Sequence, residues 1–292
     1  MTTTRTPNAE WITRWAQEDG DHWVAEADRY DELNSRSGEE LMKAVALKAG
    51  ERVLDVGCGN GATTLEAAER VRPGGSVVGI DVSPSMLAVA RERARSWSVT
   101  NADFIEADAQ VHPFAPRSFD VVISRNGLMY FDEPTAAFIN LARSLRHGGR
   151  LAFTAPQGLH RNEWIMAAGA VAAPILGPPK GVTPGQPGPV GLADPDRTYS
   201  IVEAAGFVNI TVQDVTVPMR IGTDVDDAFA FILSIPFVRE LFDTASPEQQ
   251  EQATLAVRKA LEKHLTPEGV VTNNNGVWLV TARRENSRSG GS

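Results

Sequence analysis

The chain has one cysteine and three tyrosines in 292 residues, and only 28 lysines and arginines against 37 aspartates and glutamates. A lone cysteine excludes an internal disulfide, so the fold must rest on a packed core. The formal net charge of −9, without a basic stripe interleaved with aromatics, argues against nucleic acid, whose phosphates need clustered Lys and Arg. No apolar run approaches the roughly 20 residues that cross a bilayer, so no membrane partner is expected. The polar start Met1-Thr2-Thr3-Thr4-Arg5-Thr6-Pro7 has no signal-peptide stretch, and the expected location is the cytoplasm. Metal-ligand spacings of the Cys/His or His-Glu-x-x-His kind are missing, and so is any repeat period. No metal is expected: Asp132 and Glu133, the acids nearest the fourth strand, are expected to cap the helix that begins at Pro134.

At 42% hydrophobic residues, the chain can bury a sizeable core as one decorated domain or a core with a small cap. Its most informative segment is Val53-Leu54-Asp55-Val56-Gly57-Cys58-Gly59-Asn60-Gly61, an apolar strand carrying an acid into a glycine-rich turn, followed by a helical stretch at 62–71. Glycines let the backbone turn sharply and lie against a ligand with no Cβ in the way. Cys58 belongs to this turn, where a small side chain matters more than a thiol. A similar turn seats the pyrophosphate of nicotinamide cofactors, so a dehydrogenase is one reading. The acids favour another. Asp55 would repel a pyrophosphate but suits a cationic amine. Asp81 closes the next strand where an acid meets ribose hydroxyls, and Asp108 ends a third where an adenine edge can be read. Three acids on consecutive strand ends suit an adenosine that carries an amino acid.

In order and spacing, this segment and four others, Gly79-Ile80-Asp81-Val82-Ser83-Pro84-Ser85-Met86-Leu87, Ala107-Asp108-Ala109-Gln110, Ser118-Phe119-Asp120-Val121-Val122-Ile123-Ser124 and Leu145-Arg146-His147-Gly148-Gly149-Arg150-Leu151, resemble the class I S-adenosylmethionine-dependent methyltransferases. The likeness is close over about residues 40 to 155; His147, where many relatives have proline, is a departure. It implies an α/β doubly wound, Rossmann-like sheet of seven strands with helical cap insertions, and S-adenosyl-L-methionine as cofactor. It further implies that Asp55, Gly57, Cys58 and Gly59 hold the methionine part, Asp81 the ribose, Val82 and Met86 the adenine faces, and Asp108 with Ala109 the adenine edge. Ser124 joins this set by its place at the same sheet edge.

The expected organisation is a helical flap over 1–38, the cofactor-binding core over 39–155, and a cap insertion with a Pro/Gly-rich loop over 156–195. The rest of the sheet follows over 196–284 with a helical insertion at 224–265, then a disordered tail over 285–292. Strands are expected at 52–56, 76–80, 102–106, 119–124 and 150–155, with antiparallel edge strands at 208–217 and 276–283. The run 177–191 is expected to be a mobile lid, and 224–265 part of a lid or a homodimer surface.

Methyl transfer from a sulfonium is an in-line displacement, for which alignment in a dry pocket is the main requirement. The expected acceptor is a small, largely apolar or aromatic metabolite of quinone, polyketide or indole-like type, attacked at O, N or C. Trp15, Trp23, Asn126, Tyr130 and Trp164 are the expected substrate residues. If a proton must leave, His160, just past the fifth strand, is the expected base, with Tyr30 as a further catalytic residue. His22 reads as part of the flap. A rival of another class is a catalytically silent cofactor-binding scaffold that uses 224–265 as its interface.

Overall fold

The computed structural model describes residues 6–177 and 183–285. The tail from 286 and part of the expected lid, 178–182, lie outside the described residues. Four short helices lead in: α1 (Ala9–Trp15), α2 (Glu18–Ala25), α3 (Ala27–Leu33) and α4 (Ser35–Val45). Strands and helices then alternate as β1 (Arg52–Val56), α5 (Ala62–Arg70), β2 (Ser76–Asp81), α6 (Pro84–Ser96), β3 (Ala102–Glu106), β4 (Phe119–Arg125), α7 (Pro134–Ser144) and β5 (Leu145–Pro156). The remainder runs α8 (Glu163–Leu176), α9 (Pro195–Ala204), β6 (Phe207–Gly222), α10 (Val225–Ser234), α11 (Pro236–Asp243), α12 (Pro247–Glu262), β7 (Leu265–Thr266) and β8 (Gly269–Arg284).

The helix starts are written locally. Ser83 caps α6 and Asp194 caps α9, each followed by proline at the first helical position. Gly206, with φ 85°, follows α9 in the left-handed conformation that ends helices. Before α12, Ser246 and Gln249 form a reciprocal capping box.

The sheet order is β3-β2-β1-β4-β5-β8-β6, with β1 to β5 parallel and β8 antiparallel to both neighbours. Those are the seven expected strands; among the described residues the two-residue β7 also pairs with β8, off that path. Helices cover both faces, so β1 and β4 are buried almost throughout rather than at every second residue. Strand order reverses between β1 and β4, and ligands of such sheets bind beyond the C-terminal strand ends at that reversal.

β6 and β8 run well past the expected strands and leave the sheet as a long ribbon. Alternation continues beyond Pro218, with Val217, Met219 and Ile221 buried, and the register shift between Val217 and Met219 accommodates the proline on this edge strand. The far half of the ribbon shares one core with Phe229, Phe231, Ile232 and Phe242 of α10 and α11, Val257 and Leu261 of α12, and Tyr30 and Leu33 of α3. The flap and the two insertions are therefore packed together rather than being separate lids.

The described part of the Pro/Gly-rich loop is also tied down. Gly188 N–H donates to the Met129 carbonyl at 3.0 Å, and Val190 and Leu192 are buried. Over 183–191 the expected lid packs on the turn after β4, with Gln186 and Gly191 N–H bonded to carbonyls within the loop.

Phe231 is 1% exposed at the centre of the cap. Phe231→Ala should cost about 3–5 kcal/mol by removing buried ring surface and leaving a cavity. A urea midpoint unchanged from wild type would show that the cap does not contribute to cooperative unfolding.

Candidate active site

The floor of the cleft is backbone. Gly57 and Gly59 have positive φ, and Gly57 lies so close to Gly127 that a Cβ on it would sit 2.7 Å from the Gly127 Cα. A Cβ on Gly127 would meet the Val56 carbonyl at 2.6 Å. Only two glycines allow the turns after β1 and β4 to touch. Ser124 Oγ fastens them, donating to the Val56 carbonyl at 2.7 Å and accepting from Gly127 N–H at 3.2 Å. Its hydroxyl is spent on this clamp and the side chain is fully buried, so Ser124 supports the floor instead of lining it.

Asp81 is held by the same turn: its carboxylate oxygens accept from Gly59 N–H at 2.8 Å and Ser83 N–H at 2.9 Å. Gly57, Cys58, Gly59 and Asp81 line the cleft, as do Val82, Met86, Asp108 and Ala109. Asp55 does not. It is completely buried beneath the turn, where Thr64 donates to one carboxylate oxygen at 2.6 Å and the other has no hydrogen-bond partner among the described residues. Burial, opposed by the Thr64 hydroxyl and Arg125 and reinforced by Asp81, pushes its pKa up to about 7.

A roof of aromatic side chains closes the other side. Trp15, Trp23, Tyr30, Tyr130 and Trp164 all line the cleft. Tyr30 stacks on Trp23 with ring centroids 3.8 Å apart, and Trp15 sets its ring edge-on to both Trp23 and Tyr130. Asn126 is part of the wall with both ends of its amide occupied: it donates to Asn34 Oδ1 at 2.9 Å and accepts from Thr154 at 3.1 Å. Burial raises the pKa of the Tyr30 and Tyr130 hydroxyls, so both stay neutral.

His160 lies outside this wall. It is exposed, on a 3-10 turn whose imidazole folds back over Gly158. The imidazole that does line the cleft is His22, hydrogen-bonded through Nε2 to the Tyr30 hydroxyl at 2.9 Å. Asn60, between Gly59 and Gly61 of the key turn, also lines the cleft, although nothing in its local pattern marks it. Its amide donates to the Trp23 carbonyl at 2.8 Å while Oδ1 stays buried and unpartnered among the described residues. Asn8, likewise unmarked in the sequence, lines the cleft and donates to Asp108 at 2.9 Å. Asp132, expected to cap a helix, instead accepts Asn8 N–H at 2.9 Å.

Long-range ties hold the flap down. Asp31 bridges Arg93 at 2.7 Å and Arg125 at 3.0 Å. Gly20 marks the tightest point, since a Cβ there would lie 2.1 Å from the Trp15 carbonyl and 2.6 Å from Ser83 Oγ.

A family model described as a methyltransferase domain matches residues 47–204. The chain belongs to this methyltransferase domain family. Among curated relatives, aklanonic acid methyltransferase DauC of a Streptomyces strain is 40% identical over 119 residues, 41% of this chain and 54% of that protein. Nocamycin O-methyltransferase of Saccharothrix syringae is 33% identical over 180 residues, 58% of this chain and 64% of that protein. The matches thus span between half and two thirds of these relatives' length. Among solved structures, Bacillus subtilis YcgJ superposes with a TM-score of 0.56 at 18% identity, over 87% of this chain and 100% of that one. Phosphoethanolamine N-methyltransferase 2 of Haemonchus contortus, in complex with S-adenosyl-L-methionine, gives 0.58 at 18% identity, over 98% and 62%. These superpositions show the shared Rossmann-like fold.

The site fits S-adenosyl-L-methionine, the ligand of the Haemonchus contortus structure. The glycine floor leaves room for an extended chain, acids stand at the end of β2 and just after β3, and Asn60, whose Oδ1 is unpartnered among the described residues, belongs to the cleft-lining turn.

Two outcomes test this geometry. Gly20→Ala should loosen the flap, so that 9–33 exchange amide hydrogen faster while β1 and β4 keep their protection. Unchanged exchange would mean that the close approach is dispensable. The second concerns Asp55, whose folded pKa lies above the ordinary carboxylate value. A group of this kind contributes stability that is present below about pH 4 and lost as pH rises through about 7. Without cofactor, the melting temperature of wild type should therefore fall relative to Asp55→Asn between about pH 5 and pH 8. Parallel curves would show that the carboxyl does not titrate in that window.

Proposed function

We propose that this methyltransferase alkylates an O, N or C nucleophile of a small, largely apolar or aromatic metabolite, of quinone, polyketide or indole-like type. The observation that carries the reading is that one cleft runs without a break from the acids Asp81 and Asp108 to the aromatic wall of Trp15, Trp23 and Trp164. The curated relatives support it, since one is named for aklanonic acid and another for O-methylation.

S-adenosyl-L-methionine, when bound, supplies an electrophilic methyl group on a sulfonium. The chain's residues bind, orient and dry the site. Each Asp81 oxygen uses one lone pair on a backbone N–H and keeps another for a ribose hydroxyl. Val82 and Met86 are assigned to the adenine faces, Asp108 and Ala109 to the adenine edge, and Gly57, Cys58 and Gly59 to the methionine part. Asp55, out of contact with the cleft, acts through the field of its charge and by steadying the turn. The indole and phenol rings offer flat apolar surface for a planar acceptor, held by burial and stacking.

Asp81→Asn keeps the shape and removes the charge. Charge-assisted hydrogen bonds contribute roughly 1.5–3 kcal/mol each, so affinity for the cofactor should fall roughly ten- to a hundredfold in a folded variant. Calorimetry with S-adenosylmethionine on the whole chain decides; unaltered affinity would remove Asp81 from the ribose site. Incubation with a panel of hydroxylated quinones and indoles, with mass spectrometry for a gain of one methyl, tests the acceptor class.

A further inference from the structure

Of five histidines, all among the described residues, only His22 lines the cleft. It is 9% exposed, and its partner Tyr30 is 7% exposed and pinned between the stacked Trp23 ring and the edge-on Phe231 ring. The hydroxyl that the imidazole bonds is therefore held in place. Nε2 faces the Tyr30 hydroxyl, and Nδ1 has no hydrogen-bond partner among the described residues. The charged groups around it are Glu18 and Asp19 on α2, Glu26 between α2 and α3, and Arg239 on α11, with the Tyr130 hydroxyl acting on Tyr30. Arg14 holds Asp19 at 2.8 Å, and Arg239 is paired with Glu18. Burial outweighs the carboxylates and lowers the His22 pKa, which keeps the ring neutral and able to accept a proton.

We propose that His22 is the general base for an acceptor carrying a removable proton, and that Tyr30 is its positioning residue, accepting the Nε2–H so that the Nδ1 lone pair is bare. The proposal rests on the methyl-transfer reading and narrows it to acceptors with an O–H or an acidic N–H. The acceptor's O–H or N–H bond breaks, and its proton forms the Nδ1–H bond. The electron pair left on the acceptor heteroatom becomes the pair that bonds the methyl carbon. The positive charge that entered with the sulfonium ends on the imidazole, so charge is conserved.

The test uses the full chain with S-adenosylhomocysteine and the dye alizarin, a planar dihydroxyanthraquinone whose colour reports its ionisation. His22→Gln keeps a polar side chain of similar size, and thermal melts establish that it is folded. Bound alizarin should ionise at least one pH unit lower on wild type than on His22→Gln, a tenfold shift in the equilibrium. Nitrogen-15 NMR of wild type should show the Nε2–H tautomer, and Tyr30→Phe should shift that population even if His22→Gln fails to fold. Equal dye ionisation on the two proteins, or an Nδ1–H tautomer in wild type, would overturn the proposal. Failure of alizarin to bind wild type would count against the aromatic acceptor instead, and failure of S-adenosylhomocysteine to bind would count against methyl transfer; the tautomer decides the role of His22 in either case.

Discussion

Backbone touching backbone, at Gly57 and Gly127, is the constraint from which the rest of the cleft follows. Parallel strands deliver their C-terminal ends to one edge, but an edge becomes a binding site only where adjacent turns diverge without leaving a gap. The Ile80 carbonyl takes both Gly57 N–H and Cys58 N–H, and Gly59 N–H holds Asp81, so the turn after β1 also sets the acid at the end of β2. A methyl group at either glycine would separate β1 from β4 at their tips and move that acid with them.

The roof depends on this floor through a few polar ties. Asn60 holds α2 by the Trp23 carbonyl, Asn126 holds Asn34 at the start of α4, and Arg29 joins α3 to Asp227 of the cap at 2.6 Å. Single exposed ion pairs contribute little. Asp31, shared by two largely buried arginines, is better shielded from salt, and its partners come from α6 and the end of β4, so one carboxylate anchors the flap to both sides of the sheet reversal.

The core was legible because its signals are local. A strand, its terminal acid and its glycine turn are neighbours in sequence, and β1 to β4 fall where the apolar runs place them. What the sequence concealed depends on side-chain direction and long-range docking. His160 does follow β5, but nothing local shows that its ring folds back on Gly158. Ser124 lies at the right edge, yet its hydroxyl turns inward to the Val56 carbonyl, whereas Arg125 and Asn126 line the cleft. His22 reaches the cleft because α2 docks against α6 at Gly20, a contact between residues more than sixty positions apart in the chain. The β6–β8 ribbon escaped because Pro218 reads as a strand end, while an edge strand with a register shift absorbs it.

Tyr30 belongs at once to the cleft wall and to the cap's shared core, and this divides the wall into two kinds of position. Substitution at Tyr30 would alter what the cleft accepts and weaken the packing of the cap in the same step. Ile12, Trp15, Leu159 and Phe237 line the cleft without belonging to that core, so they can vary at lower cost to stability. Acceptor range in proteins with this architecture is expected to diverge along that second set, with Tyr30 fixed and the same roof serving different molecules.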